Sequence, residues 1–134
     1  MQKELNKTLN PKLFDLENNK LLPQVRNKLL QIIEEFKKFL DIPIEIADVQ
    51  LVGSNAAYNY TEYSDLDLHI IANYDAILVN QEILQAAYYS EQSAFNKKYD
   101  ISIKGINVEL YVQDIKSGIK SNGIYSVLDR KSVV

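Results

Sequence analysis

Apolar residues recur at two different periods along this chain, and the changes of period mark its elements. Leu22, Val25, Leu29, Ile32, Ile33, Phe36, Phe39 and Leu40 return every three or four positions, the spacing that lays one stripe along an α-helix. Pro23 stands where that helix begins, a position at which its missing N–H costs nothing. Glu34 and Lys38 form an i,i+4 pair on the polar side, and the stripe itself reads as core. A second helix is expected over 77–97, with Ile83, Leu84, Ala87, Tyr88 and Phe95 toward a sheet. Elsewhere the period shortens. Residues 44–52, after Pro43, read as a strand, as does the apolar run through Leu66, Leu68, Ile70 and Ile71. Residues 101–109 read as a hairpin with Lys104-Gly105 near its turn. From there alternation puts Asn107, Glu109 and Tyr111 on one face and Val108, Leu110 and Val112 on the other. The polar stretch 115–123 carries two glycines, and 124–128 reads as a last edge strand. Residues 1–20 are polar and irregular, and Pro11 discourages a continuous helix, so they form an arm or a packed extension.

These elements predict an α/β (α+β) fold, a short mixed sheet with helices packed against it. With 134 residues, 46% of them hydrophobic, the chain can bury one core and has little left for a second domain, so 1–134 is taken as a single unit. Residues 115–134 would supply its C-terminal loop and edge strand. No internal repeat or low-complexity tract suggests another architecture. A formal net charge of −3 gives no broad basic field, which argues against strong non-specific nucleic-acid binding and leaves room only for a small local basic patch. The absence of cysteine excludes disulfide, thiolate-metal and Cys-nucleophile chemistry. With no signal-peptide core and no apolar run of membrane-spanning length, the expectation is a soluble, cytoplasmic protein without a membrane partner.

Candidate chemistry concentrates in one stretch. In a strand, Asp65 and Asp67 project from one face while Leu66, Leu68 and Ile70 fill the other. Two unit charges about 4 Å apart at an effective dielectric near 20 repel by about 4 kcal/mol, and a divalent cation relieves that repulsion. Mg²⁺ prefers one or two carboxylates plus substrate phosphates, which an Asp pair at a strand end offers. Upstream, Leu51-Val52 end a strand and Gly53-Ser54 turn the chain toward a short helix at Asn55-Ala56-Ala57. Glycine lets backbone approach a phosphate closely, free N–H groups at a helix start favour an anion, and Ser54 adds a hydroxyl.

A Gly-Ser at a strand end, followed ten intervening residues later by Asp-x-Asp between apolar residues, resembles the signature of the DNA polymerase beta-like nucleotidyltransferase superfamily. The resemblance covers roughly residues 25–112. More loosely, residues 9–14, 55–60 and 108–114 look like small nucleotidyltransferase-domain proteins of phages and prophages. This would place the protein in a bacterial or phage-infected cell. The sequence departs from the small antitoxin and antibiotic-modifying members, many of which carry Arg shortly after the Gly-Ser, where this chain has Asn55, Ala56 and Ala57.

The resemblance implies a minimal nucleotidyltransferase fold and transfer of a nucleoside monophosphate from an NTP, ATP among them, with release of pyrophosphate. It also implies a third carboxylate from a later strand; Glu109 is the first choice, and Asp114 a weaker substitute. Asp65, Asp67 and Glu109 would hold two Mg²⁺ ions, with Mn²⁺ as an alternative, and Gly53 and Ser54 would bind the β and γ phosphates. Tyr58, Tyr60 and Tyr63 lie between the two halves of the motif, and Tyr58 or Tyr60 could stack on a base or donate to a phosphate. His69 points to the same face as the Asp pair, either as a proton acceptor or, more in keeping with its place, as a hydrogen-bonded neighbour deeper in the sheet. Lys97, Lys98 and Lys104 read as solvated rather than as triphosphate partners. The acceptor, whether protein, RNA or small molecule, is left open, as is a partner chain or homo-oligomer. Two other readings stand beside the enzyme. One is a non-catalytic nucleotide-binding or structural protein, virion or regulatory, which the small size favours and the intact carboxylate set opposes. The other is a toxin-antitoxin or defence-type enzyme acting on a protein or a transfer RNA.

Overall fold

The computed structural model describes residues 5–118 and 123–133; residues 1–4 of the expected arm, 119–122 of the expected loop, and residue 134 lie outside the described residues. Helix α1 spans Pro23–Phe39, with Pro23 opening its first turn and Val25, Leu29, Ile32, Ile33 and Phe36 buried along the expected stripe. Leu22, Phe39 and Leu40 pack at its margins. The charge pairing differs from the expected Glu34–Lys38: Lys37 meets Glu34 at 3.4 Å and Lys38 meets Glu35 at 3.7 Å, both i,i+3. All four side chains are largely in solvent, where three- and four-residue spacings are close alternatives on a helix surface.

A short hairpin precedes α1, with β1 (Phe14–Asp15) paired to β2 (Lys20–Leu21). Leu9, Leu13, Phe14 and Leu21 are buried, so from residue 9 onward the N-terminal stretch is a packed extension rather than a free arm. The main sheet holds β3 (Ile46–Val52), β4 (Leu66–Ala72), β5 (Ser102–Ile103), β6 (Ile106–Asp114), β7 (Ile124–Ser126) and β8 (Lys131–Ser132), in the order β5-β6-β4-β3-β7-β8. The expected edge strand, β7, is therefore interior, since β8 turns back beside it. The expected hairpin is β5 and β6, joined through Lys104 and Gly105, both at positive φ. Among the described residues only β4 and β6 run parallel, and the crossover between them contains α2 (Gln81–Lys98).

Helix α2 starts later than the expected residue 77, because Tyr74–Ala76 form a separate 3₁₀ turn and Asn80 caps the helix by accepting from the Glu82 and Ile83 amides. Ile83 is 64% exposed and leaves the expected sheet-facing set, whereas Leu84, Tyr88 and Phe95 are buried. Gln92 takes its place in the row. Its Oε1 accepts from Val112 N at 2.6 Å, while Asn96 both accepts from Leu110 N and donates to Leu110 O. These two amides, one helical turn apart, satisfy the outer edge of β6 where β5 has ended.

Core residues of β3, β4, β6 and β7 lie in register across one face of the sheet: Tyr125, Leu51, Leu68 and Leu110 form one such row. Phe36 packs edge-on against Phe95, joining the two helices over that face. The other face carries the polar set. Among the described residues, no helix is long and apolar enough to cross a membrane.

Candidate active site

Parallel pairing of β4 with β6 puts Asp67 beside Glu109, His69 beside Tyr111 and Ile71 beside Gln113. These side chains occupy the sheet face opposite the helices, because their neighbours Leu66, Leu68, Val108 and Leu110 are taken up by the core. Asp65 sits just before the first residue of β4, at the exposed mouth of the same patch. The clustering has an electrostatic consequence. Asp67 holds its proton to higher pH than an ordinary carboxyl, first because it is half-buried and then because Asp65 and Glu109 add negative charge, against which His69 works in part. Tyr111 donates its hydroxyl to Glu109 Oε2 at 3.3 Å, and its own pKa is raised by burial and by Glu109, Asp67 and Asp65.

The glycine-serine turn lies against this patch. Gly53 adopts φ +97°, a conformation that costs residues with a Cβ, and a methyl built there would come within 3.5 Å of Asp67 Oδ2. The helix expected after it is a single 3₁₀ turn, Ser54–Ala56, so no long helix dipole stands behind the amides. What remains for an anion is the local backbone and the Ser54 hydroxyl, which is bonded to Ser64 Oγ at 2.7 Å.

Asn55 fixes the distance between the two halves of the motif. It is 1% exposed, donates from Nδ2 to the carbonyls of Ser64 (3.0 Å) and Asp65 (2.9 Å), and accepts from Asn10 at 3.0 Å. Asn10, Asn55 and Ser64 therefore position the Asp65 backbone, although they carried no chemical signal in the sequence beyond being turn-forming types.

The remaining expected residues have surroundings of their own. Tyr58 lines a cavity with Leu5, Ala57 and Asn59, and Tyr60 lines another with Pro11, Lys12 and Ile106. Tyr63 is 85% exposed. The ring that the fold brings to the carboxylates is Tyr111, tilted against His69 with centroids 5.0 Å apart. His69 is also hydrogen-bonded, its Nδ1 lying 2.5 Å from Gln113 Oε1. Asp114, at the far end of β6, is five positions beyond Glu109 and hence roughly 17 Å along the strand, and it pairs with Lys116. Lys98 lies over the rings of Phe39 and Tyr99, Lys97 is exposed beside it, and Lys104 belongs to the β5–β6 turn.

Among the described residues, no group of three or more His, Cys, Asp or Glu side chains is gathered tightly enough to hold a metal ion unaided. A Mg²⁺ ion does not ask for that. It keeps several waters and takes one or two carboxylates together with substrate phosphates, and half-buried Asp67 with the negative charges of Asp65 and Glu109 beside it fits such partial coordination. The fold thus presents carboxylates gathered on one sheet face beside a glycine turn. Residues 27–126 match the nucleotidyltransferase domain family, and the chain belongs to it, as its likeness to the polymerase beta-like superfamily implied. No curated protein and no solved structure matches the chain.

Proposed function

We propose that this protein transfers a nucleoside monophosphate from an NTP to an acceptor, releasing pyrophosphate, with Asp65, Asp67 and Glu109 as the carboxylates of the reaction centre. The observation that carries the proposal is the register of Asp67 with Glu109 across the parallel β4–β6 pair, in a domain of the nucleotidyltransferase family. These carboxylates would hold one or two Mg²⁺ or Mn²⁺ ions, which supply charge stabilisation at the transferring phosphoryl group and its attacking and leaving oxygens. Gly53 leaves backbone open to the β and γ phosphates, and Ser54 Oγ, now bonded to Ser64, is a donor that can turn to a phosphate oxygen. Asn55 keeps the phosphate-binding turn and Asp65 at a fixed separation, which serves an in-line displacement that depends on positioning. Tyr111 restrains the Glu109 carboxylate. Tyr58 and Tyr60 belong to this reading only for a base that reaches beyond the carboxylate face.

The test is incubation of the pure protein with Mg²⁺ and each α-labelled NTP in cell lysate, alongside an Asp65→Ala, Asp67→Ala double variant. Label on protein, RNA or a small molecule that appears only with the intact carboxylates is the expected result, and its destination names the acceptor. Metal-dependent NTP binding without label or pyrophosphate would assign the fold to nucleotide binding instead.

A further inference from the structure

The sheet has a second functional candidate on its opposite side. A cavity of about 220 Å³ opens between the β1–β2 hairpin, the start of α1 and the turn after β7. Three cations line it, Lys20, Arg26 and Arg130, against one carboxylate, Asp15, for a local balance of plus two in a chain whose formal net charge is −3. Among the described residues none of the three cations has a carboxylate partner within ion-pair distance. Asp15 is the one carboxylate at the cavity, and its oxygens accept from Glu17 N and Asn18 Nδ2 within its own turn.

Two further features turn this from a basic surface into a shaped site. Arg26 donates from Nε to Val127 O at 2.9 Å, which fixes the guanidinium plane and leaves both Nη groups without a protein partner among the described residues. Tyr125, only 1% exposed, lines the cavity and accepts from Leu21 N at 3.2 Å, while its own hydroxyl proton finds no acceptor among the described residues. A buried donor left unspent is costly unless something accepts from it. These groups suit a small acceptor carrying about two negative charges, since the cavity falls below the about 300 to 1,000 Å³ of sites that enclose a drug-sized molecule.

We propose that this cavity is a metal-independent binding site for the dianionic phosphate group of a small molecule, held by Lys20, Arg26, Arg130 and the Tyr125 hydroxyl. It is separate from the carboxylate patch: Tyr125 shares its register row with the core residue Leu51 on the helix face, whereas Asp67 pairs with Val52 on the other. The inference therefore does not rest on the proposed transfer reaction. A phosphate seated here would join the hairpin, α1 and the β7–β8 turn, three elements that otherwise meet at the edge of the core.

The experiment is titration of the ¹⁵N-labelled protein with inorganic phosphate and, separately, a nucleoside 5′-monophosphate, in chelator so that divalent ions are absent. Shifts centred on Leu21, Arg26 and Tyr125 are expected, with affinity in the millimolar range or better, and the Asp65→Ala, Asp67→Ala variant should bind equally well. A Lys20→Ala, Arg130→Ala variant, altered at exposed positions that spare the core, should bind at least about tenfold more weakly while keeping its thermal midpoint. Tyr125→Phe should weaken binding in the same direction. Equal binding of the two probes would identify the phosphate group itself as the ligand, and tighter binding of the nucleotide would identify a nucleotide. Absence of shifts at this cavity with either probe, or shifts unchanged in the Lys20→Ala, Arg130→Ala variant, would overturn the proposal.

Discussion

Asp67 carries its charge at a cost in stability, the trade expected of the catalytic role proposed for it. Its carboxyl titrates above the ordinary value of 3.8 because burial and the charges of Asp65 and Glu109 penalise ionisation in the folded protein. Between the unfolded and folded pKa values the folded state holds more protons, so this residue's contribution to stability falls as pH rises through that window and the penalty is complete above it. Asp67→Asn removes the charge and keeps the shape. In chelator at neutral pH the variant should melt above the parent protein, and the difference should shrink as pH falls through the raised folded pKa toward the ordinary carboxylate value of 3.8. It should lose nucleotidyl transfer and any stabilisation that Mg²⁺ confers on the parent. Thermal melts at several pH values with and without Mg²⁺ would check this; a variant that melts lower at neutral pH would mean that the carboxylate makes net favourable bonds in the fold.

At the scale of elements, the glycine-serine turn depends on a segment far away in the chain. Gly53 N donates to Gly123 O at 3.0 Å, and Gly123 lies so close to the turn that an added Cβ would stand 2.7 Å from both Ala57 Cβ and Gly53 O. Backbone cannot yield as a flexible side-chain tip can. Gly123→Ala should therefore push the turn away from Asp67, costing about 1 to 3 kcal/mol of stability as overpacking does and lowering activity further than the lost folded fraction explains. Denaturant unfolding beside initial-rate assays of the same preparation separates the two effects. The Asn10–Asn55–Ser64 linkage belongs to this scale too, because it ties the N-terminal extension to the segment that delivers Asp65.

For the whole molecule, the N-terminal extension is the part whose weight is least expected. It lies before the family match, which begins at residue 27, yet Leu9, Leu13, Phe14 and Leu21 are buried in the common core. Phe14 meets Tyr125 edge-on at 5.3 Å. Burial of four such side chains is worth roughly 6 to 12 kcal/mol at the usual transfer value, comparable with the about 5 to 15 kcal/mol that holds a small domain folded. A chain lacking residues 1–22 should lose its cooperative thermal transition by circular dichroism, although every residue of the carboxylate patch is still present.

The sequence by itself determined whatever depends on near neighbours and on alternation. Helix α1 with its Pro23 start, the β5–β6 turn at Lys104-Gly105, and the shared face of Glu109 and Tyr111 were legible because period and turn chemistry act within a few residues. Only the tertiary structure decided what depends on which segments meet. A surface helix can pair Glu34 with either neighbour, so the i,i+3 bond was a local choice without a sequence preference strong enough to reveal it. Gln92 reads as a polar break in a helical stripe until the open edge of β6 arrives to use it. Likewise β7 became an interior strand only when β8 folded back beside it. Tyr58 and Tyr60, close to the motif along the chain, line cavities shared with the N-terminal extension, while Tyr111, more than forty residues beyond Asp67, stands beside the carboxylates because parallel pairing through α2 fixes its register. Chain proximity sets what is bonded locally; strand pairing and packing set which distant charges must share one face, and the site is made from those.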